Sequence, residues 1–212
     1  MLQVISRVLM ALLASPAAQA YPEAPKSSGM TLAAIILLGM LATLIFTGWM
    51  VMRVFQGQAV PPSPGWFNLA ILVLSLAGLG VALYLTLIEA TSIPAICGPI
   101  GDCNTVQQSP YARLLGVIPV GLLGVLGYLA ILAAWALRKF RSGRLADYSP
   151  IAIFGMGIFG TLYSVYLTYL ELFVIKAVCI WCLSSAVIMT LLLLVSLPAA
   201  VQWLAASEEE DQ

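Results

Sequence analysis

Five long apolar runs separated by short polar or basic stretches make up most of this chain. They lie near 30–52, 67–88, 116–137, 149–171 and 177–199, and each is long enough for the roughly 20 helical residues that cross a bilayer. The first runs without a charge from Met30 to Met52 and stops at Arg53. The second follows the turn-like Pro61-Pro62-Ser63-Pro64-Gly65 and stops at Glu89. The third begins beyond Arg113 and ends at Arg138-Lys139-Phe140-Arg141, and the fourth starts at Ser149-Pro150, where proline suits a first turn. Residues 151–199 read as two spans, because a single helix of that length would be more than twice the hydrocarbon thickness. Glu171 and Lys176 mark the break. The pattern predicts an all-α integral membrane protein.

Composition strengthens that reading. Hydrophobic residues make up 62% of the 212 and charged ones 8%, against about 25% charged in an ordinary soluble domain. Mean hydropathy is +1.03. Nine Lys and Arg balance nine Asp and Glu, and histidine is absent. A nucleic-acid footprint is excluded by so few scattered cations. So are histidine metal sites and histidine general bases. Chemistry falls to four cysteines, scattered hydroxyls or a bound cofactor. Residues 1–20 have Arg7, a short apolar stretch and Ala18-Gln19-Ala20, a signal-like segment too short to span.

The basic loop sets the orientation. Residues 138–148 carry Arg138, Lys139, Arg141 and Arg144 against Asp147, and short basic loops stay cytoplasmic. Alternation places 53–66 and the acidic tail 200–212 on that side, with 1–29, 89–115 and 172–176 outside. Arg53 agrees with this arrangement, and Arg113 and Lys176 run against it. All four cysteines then lie at the outer face. Cys97 and Cys103 flank Gly98-Pro99-Ile100-Gly101-Asp102, and Cys179-Ile180-Trp181-Cys182 opens the last helix.

A C-x-x-C at a helix start has a physical use. Unsatisfied amide donors and the positive helix end favour a thiolate there, and i,i+3 spacing holds both sulfurs on one face. Cys179 is expected to be the more exposed thiol, with Cys182 a turn deeper where a lipid-soluble molecule reaches it. Two structural disulfides or a four-cysteine zinc or iron–sulfur site are the competing readings. Two pairs at one membrane face favour a redox relay without metal.

An internal echo accompanies the cysteines. Tyr84-Leu85-Thr86-Leu87-Ile88-Glu89 recurs as Tyr166-Leu167-Thr168-Tyr169-Leu170-Glu171, and Cys97 and Cys179 follow at the same 82-residue offset. Two hairpins of like orientation, 67–137 and 149–199, would give this pattern. Residues 67–199 thus read as a four-helix redox core with the outer loop 89–115, and 30–53 as an additional N-terminal helix.

Cys97-x₅-Cys103, then Val106, Ser109 and Tyr111, then Leu115-Gly116-Val117-Ile118-Pro119, then Cys179-Ile180-Trp181-Cys182 together resemble the vitamin K epoxide reductase family. The likeness is to its bacterial and plastid homologues and covers about 67–199. The resemblance implies a four-helix bundle around a quinone pocket. Cys182 would act on the quinone and Cys179 would exchange with the loop pair. Cys103 would form the transient bridge to Cys179, and Cys97 would meet the thiol partner. Ser109 falls at the family's cap-positioning serine or threonine. Ala186 stands where animal enzymes have a quinone-contacting tyrosine, a departure that bears on epoxide reduction more than on simple quinone reduction. Two residues, Val117 and Ile118, intervene between glycine and proline where the family usually has one.

The resemblance therefore implies a quinone reductase and thiol–disulfide oxidoreductase that makes disulfides outside the cytoplasm. Its electron acceptor would be phylloquinone, menaquinone, plastoquinone or ubiquinone. Its donor would be a thioredoxin-like or other thiol protein, expected as a separate chain because the sequence ends at Glu208-Glu209-Glu210-Asp211-Gln212. The membrane would be plasma or thylakoid, with the active face toward periplasm or lumen. A scaffold or transporter with structural disulfides is the alternative, and the near absence of charge within the spans argues against a solute path.

Overall fold

The computed structural model describes residues 26–58, 64–91, 93–97, 101–114, 118–141 and 143–210. The signal-like stretch 1–20, the loop residues 98–100 and residues 211–212 lie outside them. Among the described residues, five helices are long and apolar enough to cross a membrane. They are α1 (Lys26–Phe55), α2 (Phe67–Thr91), α4 (Val120–Phe140), α6 (Ser149–Tyr169) and α7 (Ile180–Glu210). Two short helices, α3 (Cys103–Gln107) and α5 (Arg144–Asp147), sit in the connections. The chain is an all-α integral membrane protein.

Helices α2, α4, α6 and α7 form a bundle whose core includes Ile71, Ala82, Val125, Tyr128, Ile131, Ile153, Met189 and Leu192. Helix α1 lies outside it, packed mainly on α6 and α7. Near one end of α1, Ala33 meets Val178 and Leu183; near the other, Val54 joins Phe154, Leu197 and Val201. Large apolar side chains such as Ile35, Leu38, Ile45, Val73, Leu126 and Phe159 point outward. In water such a surface would aggregate; in hydrocarbon it is matched to its solvent.

Three boundaries differ from the sequence pattern, each for a local reason. The third span begins at Val120 rather than 116, because Arg113–Leu114 pairs antiparallel with Ile118–Pro119 as a short ribbon. Pro119, extended at φ −55° and ψ 133°, is the last residue before the helix. The fourth span does not stop at Glu171. It widens into a π-helical turn over Leu170–Ile175 and ends at Lys176, which adopts a left-handed conformation at φ 57°. The fifth starts at Ile180 rather than 177 and runs through Pro198. Ala200 and Val201, both fully buried against α1 and α6, hold the helix beyond that proline and into the segment read as a tail.

Candidate redox site at the cysteine end of the bundle

The first turn of α7 is built around Cys179. Its carbonyl accepts the first helical hydrogen bond, from the amide of Leu183 at 3.0 Å, so Cys179 is the N-cap residue. Its sulfur accepts from the amide of Cys182 at 3.4 Å, the donor that a capping serine or aspartate oxygen would take. The Cys179 amide in turn donates to Glu171 Oε2 at 3.3 Å. The Cys179 thiol is held below its ordinary value, chiefly by a hydrogen bond from the Cys182 thiol. Burial opposes this; the Cys182 and Trp181 amides and the Gln107 side chain add to it. Its surroundings thus favour the thiolate form of Cys179.

A cap covers it. Cys97 and Cys103 are joined in a disulfide with their Cα atoms 5.9 Å apart, while Cys179 and Cys182 are free thiols. Helix α3 starts at Cys103 and is too short to persist alone. Asp102 caps it, accepting from the Thr105 amide at 3.1 Å and its hydroxyl at 2.6 Å, a kind of contact worth about 0.5–2 kcal/mol. The Asp102 amide donates to the Val178 carbonyl at 2.9 Å, one residue before Cys179. Gly101, at φ +92°, passes so close to that carbonyl that any Cβ would collide with it. Trp181 Nε1 donates to the Ile96 carbonyl at 3.0 Å, and the Ile96 amide donates to the Tyr84 hydroxyl at 3.0 Å. Gln107 Nε2 lies 3.9 Å from Cys179 Sγ and 3.8 Å from Cys182 Sγ. One side chain of the cap therefore spans both free thiols.

Below the cap a cavity of about 540 Å³ opens between the helices. That is the size of a small-molecule site, and its walls are largely apolar as such sites are. Cys182, Glu89, Glu171, Tyr128, Ser185 and Ala186 are among the residues lining it. The Tyr128 hydroxyl donates to the Ser185 carbonyl at 3.2 Å and lies 3.0 Å from Ser185 Oγ. A flat, lipid-soluble ring with two carbonyls fits this combination of apolar wall and few hydroxyls.

The four cysteines come together in one cluster with Leu85, Ile88 and Val106. The exposures of the inner pair are the reverse of the sequence expectation. Cys179 is fully buried, whereas Cys182 is partly accessible. The cap seals Cys179, and the cavity opens onto Cys182. Ser109 stays on the cap, where its hydroxyl donates to the Val106 carbonyl at 2.7 Å. It lines a narrow cleft of about 30 Å³ between cap and bundle and is absent from the large cavity's wall. Ala186 does line that cavity.

A sequence model of the vitamin K epoxide reductase family matches residues 69–197. The chain belongs to that family. No curated protein matches it. Membership makes this vitamin K epoxide reductase homologue a quinone-linked thiol oxidoreductase of the membrane. The matched segment contains all but the first two residues of α2, the whole of α4 and α6 and most of α7, with the cap and all four cysteines.

Several residues of the site carry no mark in the sequence. Gln107 is an ordinary polar residue of a short helix, and Tyr128 is one aromatic in an apolar run. Tyr84 and Trp181 stand inside motifs notable for other residues, yet their rings lie 4.6 Å apart, tilted at 50°, and both hydrogen-bond Ile96 of the cap. Glu89 and Glu171 did carry a signal, the repeated Tyr-Leu-Thr…Glu pattern. The pattern itself does not say that both are buried and turned toward the cavity.

Proposed function

We propose that this homologue reduces a membrane quinone with electrons from a thiol protein, and so generates disulfides on the side of its cysteine end. The observation that carries the reading is the order of sulfurs. Half-exposed Cys97 is bonded to buried Cys103, which shares a cluster with Cys179, which hydrogen-bonds to Cys182 on the cavity wall.

In this reading a reduced thioredoxin-like protein attacks Cys97, the loop sulfur that solvent reaches. Cys103 is released and passes the electrons through a mixed Cys103–Cys179 disulfide. The inner pair, once reduced, meets the quinone through Cys182. Cys179 then closes the inner disulfide. Ser109 acts by keeping the cap in place, and Ala186 shapes the quinone wall. The basic connection at the far end of the bundle supports an outer placement of the cysteines, in a plasma or thylakoid membrane.

The test is quinone reduction by the full chain in nanodiscs, with dithiothreitol as donor and a short-chain quinone as acceptor. The unmodified chain is expected to turn over, and Cys182→Ala to fall to the uncatalysed rate. Full activity of Cys182→Ala would sink the proposal and leave the disulfide as a structural staple.

A further inference from the structure

Reduction of a quinone takes up two electrons and two protons. Two thiols carry both, but their protons have to travel from sulfur to the two quinone oxygens across a site walled by apolar side chains, and with histidine absent another group has to relay them. Two spaces meet under the cap, the large cavity and the narrow cleft that reaches toward Ser109 and Tyr111. The titratable residues common to both walls are Glu89, Glu171 and Cys182. The two carboxyls therefore stand between the cap side and the quinone space, with the reacting thiol beside them.

Each carboxyl is also held in place. Glu89 Oε2 accepts from the Gly121 amide at 3.1 Å, and Glu171 Oε2 accepts from the Cys179 amide at 3.3 Å. The Glu89 contact needs glycine opposite it, since a Cβ on Gly121 would strike the backbone of Thr86. Glu171 also shares both of those walls with Cys182. Among the described residues, the other titratable groups facing the pair are Tyr111 on the cap, Arg113 on the ribbon, Tyr163 on α6, Tyr128 on α4 and Cys179. Arginine keeps its charge and phenols ordinarily ionise only near about pH 10, so neither side-chain type is a ready proton carrier near neutral pH.

We propose that the repeated carboxyls Glu171 and Glu89 carry the protons of quinone reduction from the cap-side cleft to the cavity, with Glu171 serving Cys182 directly. The inference rests on the quinone reductase reading above. Glu171 takes the Cys182 proton as that sulfur forms a C–S bond to the quinone ring. The carbonyl electron pair moves onto oxygen, which is protonated by Glu171. Cys179 thiolate next attacks Cys182 Sγ, so the S–S bond forms and the C–S bond breaks. The electron pair left on the ring makes the second phenolate, which Glu89 protonates. Glu89 recovers its proton from the cleft, replacing the one Cys179 released there. Two thiols become a disulfide and quinone becomes hydroquinone.

The experiment is the pH profile of kcat and KM in the nanodisc assay, for the unmodified chain and for Glu171→Gln, Glu171→Asp and Glu89→Gln. Glutamine keeps the oxygen that accepts the Cys179 or Gly121 amide, so the anchoring contact survives. Glu171→Gln is expected to lower kcat about 100-fold at neutral pH, the scale of a lost proton-transfer group. Its KM should stay unchanged and its rate should climb as pH rises and the thiol ionises to solvent. Glu171→Asp should recover part of the loss with a displaced profile, and Glu89→Gln should lose less. Variants that keep the unmodified profile, whether or not kcat falls, overturn the proton assignment, because a purely positioning role would scale the rate without reshaping it. If Glu171→Gln does not fold, the Glu171→Asp profile decides by the same criterion. A Cys182-dependent parent whose glutamate variants are unaltered fails only this inference. A parent that reduces no quinone fails the reading beneath it.

Discussion

The two hairpins of the bundle begin alike and finish differently. Tyr84…Glu89 lies near the end of α2 and Tyr166…Glu171 runs from the end of α6 into the π-helical turn, and each glutamate reaches a backbone amide at the start of the next spanning helix, Gly121 of α4 or Cys179 beside α7. Between Glu171 and its partner lie only a π-helical turn and a left-handed Lys176. Between Glu89 and its partner lie the disulfide, α3, a 3₁₀ turn and the ribbon. The short connection locks its cysteines to a helix start, with Cys179 as the cap of α7. The long one carries its cysteines on a lid held by a few hydrogen bonds. The proposed relay would need both kinds of site, a fixed pair aligned with the cavity and a pair that can shift between partners, and the difference in connection length would supply them from one repeated frame.

The sharpest way to break this comparison is to disable the lid pair and leave the fixed pair intact. Cys97→Ala should abolish turnover with a protein donor and retain appreciable turnover with dithiothreitol, which is small enough to reach the inner thiols. Cys103, without its loop partner, should then bond stably to Cys179. Cleavage in the 138–148 connection would leave the two halves crosslinked on a non-reducing gel and separate on a reducing one. Equal losses with both donors would mean the lid has no separate role.

A smaller effect should come from the side chain that links lid to fixed pair. Gln107→Leu removes the amide donor beside both sulfurs at nearly constant volume. Donors stabilise the thiolate, so their loss should move the Cys179 titration upward and leave less thiolate at neutral pH. Ultraviolet thiolate absorbance against pH should show the shift, and turnover below the midpoint should fall on the order of threefold, as for a weak hydrogen bond of about 0.6 kcal/mol. An unmoved titration would place Gln107 in packing alone.

The smallest effect should follow from loosening the lid without touching a sulfur. Trp181→Phe keeps the ring on Tyr84 and deletes the hydrogen bond to Ile96. The lid should open more readily by about 1 kcal/mol, which amide hydrogen exchange over 95–107 would report. Turnover with dithiothreitol should change little. Unaltered exchange would leave the lid held by Asp102, Asn104 and Tyr84 without it.

By itself the sequence determined the membrane character, the number of spans and the clustering of cysteines at one end. Each of these is a property of composition and parity. Twenty apolar residues need a bilayer whatever they pack against, and counting crossings sorts loops to two sides. The pairing of glutamate with cysteine was visible as an 82-residue echo, but its meaning was not. Span ends were the least legible part of the fold. A ribbon stopped by Pro119, a π-helical turn after Tyr169 and a helix that survives Pro198 each depend on a neighbour that lies far off in sequence or on a local hydrogen-bond choice that apolar letters do not encode. Tertiary structure alone decided that Cys179 is sealed and Cys182 open to the cavity, and that Gln107 spans both. Burial is set by what lies over a residue, and here the cover is a lid more than 70 positions away along the chain.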